Sequence, residues 1–358
     1  MFATSSNVHN PSVAQLARLK KNDEYLTFLN VKLQDIEHGV SNHFPHWRDS
    51  IFSFQVAQWI DALQTNNTVE EVTVDLTIAE GQGLGLWEAR NVRTFLESVA
   101  AIPSLEKLVF KQYTLGSLGS FAGIRSAIEN ARSLTHLEIW GKRIVEGSQE
   151  ELHALAHAIR QKPQLRSFHF HGFLMHWFDG GPEPYVRSLL PVLDNPSLKE
   201  LKLGDTNPGQ LPLLEALGTN HNHAIETLTL VIVPELLDEV CDKIQQVLLL
   251  PHNSHVRSLS LVNSTNRRLP GISAKGFQSL THLMEHNHSL MELNTSPGTQ
   301  PHADIEFYLR LNKAGRKILF EPDATRKDWV NVLCALLPED SVESLFYILQ
   351  LNPCLCEI

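Results

Sequence analysis

Leu134-Thr-His-Leu137-Glu-Ile139 and Leu165-Arg-Ser-Phe168-His-Phe170 are two copies of one pattern, apolar-x-x-apolar-x-apolar, set 31 residues apart. Reading upstream, the same register stands at Val69-Glu-Glu-Val72-Thr-Val74 and Leu105-Glu-Lys-Leu108-Val-Phe110. Downstream it returns at Leu198-Lys-Glu-Leu201-Lys-Leu203, Ile225-Glu-Thr-Leu228-Thr-Leu230, Val256-Arg-Ser-Leu259-Ser-Leu261 and a truncated Leu290-Met-Glu-Leu293. The first positions, 69, 105, 134, 165, 198, 225, 256 and 290, are separated by 36, 29, 31, 33, 27, 31 and 34 residues. A period this steady is the mark of stacked repeats and overrides the rule of thumb that would divide 358 residues into two or three compact domains.

Ahead of each apolar strand lies a segment with helical spacing, as in Val56, Trp59, Ile60 and Leu63, or Leu152, Leu155, Ala156 and Ile159, or Leu189, Leu190 and Leu193. The joints carry helix-stop residues, Ile102-Pro103-Ser104, Lys162-Pro163-Gln164, Asn195-Pro196-Ser197 and Asn287-His288-Ser289, because Pro cannot continue a helix and Asn tolerates a left-handed turn. Strands that all follow a helical crossover run the same way and form one parallel sheet. Strands stack about 4.8 Å apart whereas helices need roughly 8–10 Å. The expected architecture is therefore an α/β solenoid, its parallel sheet curved on the concave side and its helices on the convex side.

The Leu-x-x-Leu-x-Leu register in units of about thirty residues resembles the ribonuclease-inhibitor-like type of leucine-rich-repeat protein over roughly residues 50–295. That resemblance implies a horseshoe whose members are mostly protein-recognition surfaces with unrelated partners. The position eight after the first apolar residue, usually Asn or Cys in that family, reads Tyr113, Lys142, Phe173 and Thr206, so the family's turn-side ladder is not expected here. Residues 1–50, with an opening strand over Tyr25–Val31, are expected to cap the first repeat, and residues 51–296 to form the solenoid of about eight units. Residues 297–358 then read as a helical C-terminal cap, with a helix centred on Trp329 and a further apolar segment over Ser344–Pro353. The wording of this last part, Asn312-x-x-Gly315-Arg316 and Asn352-Pro353-x-Leu355-Cys356, is similar to the tail of leucine-rich-repeat proteins of diatom-type algae.

Composition narrows the partner. Hydrophobic residues at 42% and charged residues at 20% describe an ordinary folded chain, and 30 Lys+Arg against 40 Asp+Glu give a net charge of −10. Such a charge repels nucleic acid and anionic lipid, so neither is expected as a partner. The chain shows no signal-peptide core and no apolar run of membrane-spanning length, which points to the cytoplasm, with the nucleus possible; the acid-free, Ser- and Arg-containing residues 1–21 are also compatible with organelle targeting. Four cysteines at 241, 334, 354 and 356 are too scattered for a disulfide framework, and the Cys354-x-Cys356 pair cannot alone complete a zinc site.

Within each strand the odd register positions share the face opposite the helices. Lys107, Val109 and Lys111 are thus followed laterally by His136, Glu138 and Trp140, then by Ser167, His169 and His171, then by Glu200 and Lys202. Glu138 is expected beside His169, and Trp140 beside His171. The segment Gly172–Pro182 carries apolar side chains with no place in the register, so Trp140, Phe173, Trp177 and Phe178 are read as an anchor cluster for a protein partner. The partner-binding candidates are Lys111, His136, Glu138, Trp140, His169, His171, Phe173, Trp177, Phe178 and Lys202. His136, Glu138, His169 and His171 include proper zinc ligands, but side chains on adjacent strands are not expected to converge, so no metal and no cofactor is assigned. Gly81-Gln-Gly83-Leu-Gly85 lacks the spacing of a phosphate loop, and neither a nucleophile elbow nor a His-Glu-x-x-His helix occurs. The expectation is a monomeric, non-enzymatic interaction scaffold or adaptor that grips a protein on its concave face. The rival reading is a regulator of an enzyme, an inhibitor or GTPase activator, using the same fold.

Overall fold

The computed structural model describes residues 11–32, 48–76, 89–115, 120–144, 148–172, 183–204, 210–220, 224–232, 236–263, 272–295, 302–321, 323–336 and 342–352. Among them lie nine strands: β1 (Phe28–Lys32), β2 (Glu71–Leu76), β3 (Lys107–Leu115), β4 (His136–Ile144), β5 (Ser167–Gly172), β6 (Glu200–Gly204), β7 (Thr227–Ile232), β8 (Ser258–Asn263) and β9 (Glu292–Thr295). They fall in chain order in one parallel α/β sheet, with helices between successive strands. The opening strand expected near residues 25–31 is β1, and all eight repeat segments place their last apolar positions in β2 to β9. The loop at Gly81–Gly85, the segment Phe173–Pro182 and the pair Cys354 and Cys356 lie outside the described residues.

The chain divides into two compact units, Met1–Gly209 with Asn222–Ala224, and Gln210–His221 with Ile225–Ile358. In the first, α1 (Pro11–Lys20), α2 (Arg48–Thr65), α3 (Ala89–Ala100), α4 (Ser120–Asn130), α5 (Gln149–Arg160) and α6 (Glu183–Leu189) accompany β1 to β6. The helix α5 shows how sequence sets position. Leu152, Leu155, Ala156 and Ile159 are all buried at the i, i+3, i+4, i+7 spacing of one helical face. Glu150 and Glu151 in its first turn and Arg160 in its last oppose the helix dipole at both ends. Beneath the helices, Leu108, Phe110, Leu137, Ile139, Phe168 and Phe170 of β3 to β5 are 0–1% exposed. Each such side chain contributes about 1.5–3 kcal/mol by leaving water. Gly123 of α4 lets α3 come close, since a Cβ there would stand 2.9 Å from Leu96 Cδ1.

Helical spacing through Leu189, Leu190 and Leu193 gives way to a 3-10 turn at Leu190–Asp194 once Pro191 removes a backbone donor. The joints hold a second departure. Asn195 and Asn287 were expected to supply left-handed turns, yet they sit at φ −76° and −93° in extended backbone. Their side chains instead bridge repeats. Asn195 Nδ2 donates to Ile159 O at 2.7 Å and Lys162 O at 2.9 Å, while its Oδ1 accepts from Ser197 N at 2.9 Å. Lys162, at the same place one repeat earlier, donates through Nζ to Ala131 O.

In the second unit, α7 (Gln210–Thr219), α8 (Leu237–Leu248), α9 (Ala274–His286), α10 (Ala303–Lys313), α11 (Arg326–Leu336) and α12 (Val342–Leu351) accompany β7 to β9. The same ladder continues: Asn253 Nδ2 donates to Leu217 O at 3.4 Å, and Asn287 Nδ2 to Leu248 O at 2.8 Å. Asn312, in α10, donates to Asn287 O at 2.9 Å and Leu290 O at 2.7 Å. Arg316, fully buried, donates to Met284 O at 2.7 Å, and its guanidinium lies 4.9 Å from the centre of the Tyr308 ring. The Asn312 and Gly315-Arg316 pattern thus ties the C-terminal helices to the last repeat. Leu311, Leu319, Trp329, Val332, Leu336 and Ile348 form a separate apolar cluster behind this seam.

Candidate functional site

The face of β2 to β6 opposite the helices carries the odd register positions. Most are half-buried to exposed, although Thr73 and Val109 are buried at 6% and 5% exposure by their longer neighbours. Pairing is in phase throughout this unit: Lys111 lies opposite Trp140, Trp140 opposite His171, Glu138 opposite His169, and His169 opposite Lys202. Glu71 and Lys107, also directly opposed, form an ion pair at 2.9 Å. The neighbour relations read from the sequence therefore hold for Lys111, Glu138, Trp140, His169, His171 and Lys202. Phe173, Trp177 and Phe178 lie outside the described residues.

Three side chains come together that were not expected to converge. Glu138, His169 and His171 each offer one ligand atom, and these atoms lie within 4.8 Å of one another. Alternation along β5 projects His169 and His171 from the same face, and Glu138 stands opposite His169 on β4, one strand spacing away. What closes the group is the posture of His171. Its ring stacks on Trp140 at a centroid distance of 3.6 Å and an interplanar angle of 8°. On the other side, Gly204 is the residue opposite it, and a Cβ there would stand 3.0 Å from His171 Nδ1 and 3.3 Å from its Cα. A bare backbone on one flank and an indole on the other hold the imidazole edge-on to Glu138.

The stack leaves only 11% of the His171 side chain exposed. Burial, reinforced by the positive charge of Lys202 and by His169, pushes its pKa down to about 3. The imidazole is therefore neutral at physiological pH. Its Nε2 is fully enclosed, 3.9 Å from Glu138 Oε1, and has no hydrogen-bond partner among the described residues. Glu138 itself accepts from Trp140 Nε1 at 2.5 Å, which fixes the indole plane.

A second layer supports His169. Its Nε2 is 2.8 Å from Glu200 Oε1, and Ser167 Oγ donates to Glu200 Oε2 at 2.9 Å. Hydrogen bonding from His169, then from Ser167, holds the Glu200 carboxyl down at about 2 against the opposing effect of burial. His136 is not part of the group, and its Nδ1 lies 2.7 Å from Thr135 Oγ1. The sequence placed Ser167 and Glu200 on this face without marking either as a site residue, and gave Gly204 no role. The usable signal was register: Ser167 stands opposite Glu200 and His171 opposite Gly204.

No family model matches this chain, and no curated protein is significantly similar to it. The geometry therefore stands on its own. A shallow groove of about 430 Å³ runs along the same face, bordered by Glu70, Glu71, Glu106, Lys107, His136, Glu138, His169 and Glu200 among others. The thiol of Cys241, by contrast, is buried, and burial together with Asp238 and Asp242 pushes it up to about 12. It is a packing residue and not a nucleophile. None of the described helices is long and apolar enough to cross a membrane.

Proposed function

We propose that this chain is an interaction scaffold or adaptor that holds a partner protein against the open face of β3 to β6, in the manner of the ribonuclease-inhibitor-like leucine-rich-repeat proteins its register resembles. The observation that carries this reading is Trp140. Its side chain is 38% exposed, yet it is held by a ring stack and by a hydrogen bond to Glu138. A large aromatic surface that is already ordered loses little entropy on docking, which is what makes tryptophan an effective interface anchor. Lys111 lies opposite it, Lys202 lies farther along the face opposite His169, and the acidic border of the adjoining groove favours a basic segment on the partner. Lys111, His136, Glu138, Trp140, His169, His171 and Lys202 are the binding residues of this proposal.

The test is quantitative capture from the native cell extract with three baits: the wild-type chain, Trp140→Ala, and a control, Glu129→Ala, on an exposed position of α4. A partner protein held by the wild type and the control but depleted about tenfold or more on Trp140→Ala is the expected outcome, equivalent to roughly 1.4 kcal/mol or more at one anchor. Equal recovery on all three baits places binding away from this face.

A further inference from the structure

We infer that Glu138, His169 and His171 form a binding site for a divalent transition-metal ion of the zinc class, with Glu200 as the carboxylate beside it. The site lies next to the proposed docking face but does not depend on that reading.

Three independent features point to a cation. First, two imidazoles and a carboxylate bring their ligand atoms within 4.8 Å of one another, and this donor set suits zinc and its neighbours, not magnesium or calcium, which prefer oxygen alone. Second, the enclosed Nε2 of His171 has no hydrogen-bond partner among the described residues. A buried polar atom left without a partner costs roughly 1–3 kcal/mol, and a metal ion beside Glu138 Oε1, 3.9 Å away, removes that cost. Third, the surroundings are built to hold the ligands. Glu200 fixes the His169 ring at 2.8 Å, Trp140 fixes Glu138, and the Trp140 and Gly204 flanks fix His171.

Charge agrees with this arrangement. Lys202 opposes a cation, but Glu138 and Glu200 outnumber it. Three protein ligands on an open face leave a coordination position to exchangeable water or to a side chain of a partner, the pattern of an accessible site and not of a closed structural one.

Surface histidine pairs are the natural source of a false signal. His153 and His157 lie one turn apart on α5 with their Nε2 atoms 3.0 Å apart, and His282 and His286 stack on α9 at 4.3 Å. The experiment therefore begins with the full chain carrying His153→Ala, His157→Ala, His282→Ala and His286→Ala, stripped with chelator. Zinc affinity is read by competition with a chromophoric chelator, and the cobalt-loaded protein is read by its visible absorption. The expected result is one zinc ion per chain, with affinity lowered at least tenfold by Glu138→Gln, which is isosteric and still accepts from Trp140, and by His171→Asn. Copper is also expected to quench part of the tryptophan emission of the background protein, and saturating zinc to block that quenching. That readout needs no ligand variant, so it decides the matter even if Glu138→Gln or His171→Asn fails to fold. Absence of zinc uptake in the background protein, or unchanged affinity in folded Glu138→Gln, overturns the site and assigns the enclosed His171 Nε2 to an ordered water.

Discussion

A histidine kept neutral well below its ordinary pKa makes a protein fragile in acid, and His288 is placed to do this. Its ring stacks on Phe320 at 3.9 Å, and burial, with Arg316 nearby, lowers its pKa from 6.5 to about 4. Above pH 6.5 the ring is neutral in the folded and unfolded chain alike, and the full stability is present. Between pH 6.5 and about 4 the unfolded chain takes up a proton that the folded one refuses, so stability falls; below about 4 both states are protonated and the loss is complete. Allowing for partial exposure of the ring, the loss is roughly 2 kcal/mol. His288→Phe keeps the stack and removes the titration. Urea unfolding at several pH values should show a shallower decline over that interval, and an unchanged slope would assign the acid sensitivity to other groups. Gly141 makes a steric prediction of the same scale. A Cβ there would collide with Leu115 Cγ and stand 3.0 Å from Gln112 O, so Gly141→Ala should cost about 1–3 kcal/mol in a thermal melt. These environments also mark what a reading of single residues misses. Alternation told which side of the sheet His171 and Trp140 occupy, but not that the indole would lie flat on the imidazole. That posture depends on Gly204, which belongs to the following repeat.

At the scale of the element, strands and helices were legible because burial imposes period two on one and 3.6 on the other, and both periods recur in turn from Val56 to Leu293. The joints were harder. Asn at the third position before the strand register, in Asn66, Asn195, Asn253 and Asn287, has the composition of a turn, so a turn is what the local sequence suggests. Its work is instead long-range: the amide reaches carbonyls of the preceding repeat, and no local window contains that information. Asn195→Ala removes the amide donor to Ile159 O and Lys162 O, which keep only their bonds from Lys162 N and Leu165 N, and takes away the acceptor of Ser197 N. At roughly 0.5–1.5 kcal/mol for each hydrogen bond lost, the variant should lose about 1–4 kcal/mol, whereas Asn67→Ala, at an exposed position, should stay within about 0.5 kcal/mol. Equal losses in chemical denaturation would mean that the ladder contributes nothing beyond ordinary turn propensity. Arg316 extends the device into the C-terminal helices. Arg316→Ala removes the donor to Met284 O and opens a cavity, so the helices should detach from the last repeat before the rest unfolds, which hydrogen exchange across residues 303–336 would register as early loss of protection.

At the scale of the whole molecule, charge decides which partners can approach. A net charge of −10 repels polyanions everywhere, and the groove on the open face concentrates the same sign at Glu70, Glu71, Glu106, Glu138 and Glu200. Lys107 offsets only part of this, since it is already engaged with Glu71 at 2.9 Å. An interface built this way should gain speed more than strength from electrostatics, because rim charges steer encounter while a buried anchor sets how long the complex lasts. Two perturbations therefore separate in kinetics. Raising salt from about 50 to 200 mM shortens the screening length from roughly 14 to 7 Å, and should slow association with a basic partner several-fold while leaving dissociation nearly constant. Glu70→Gln combined with Glu106→Gln should slow association at low salt and flatten the salt dependence. Trp140→Ala should do the reverse, speeding dissociation about tenfold with association almost unchanged. If salt acts on dissociation and Trp140→Ala on association, the acidic groove and the aromatic anchor have exchanged roles, and the partner must seat its charged residues, not an apolar patch, at the centre of the face.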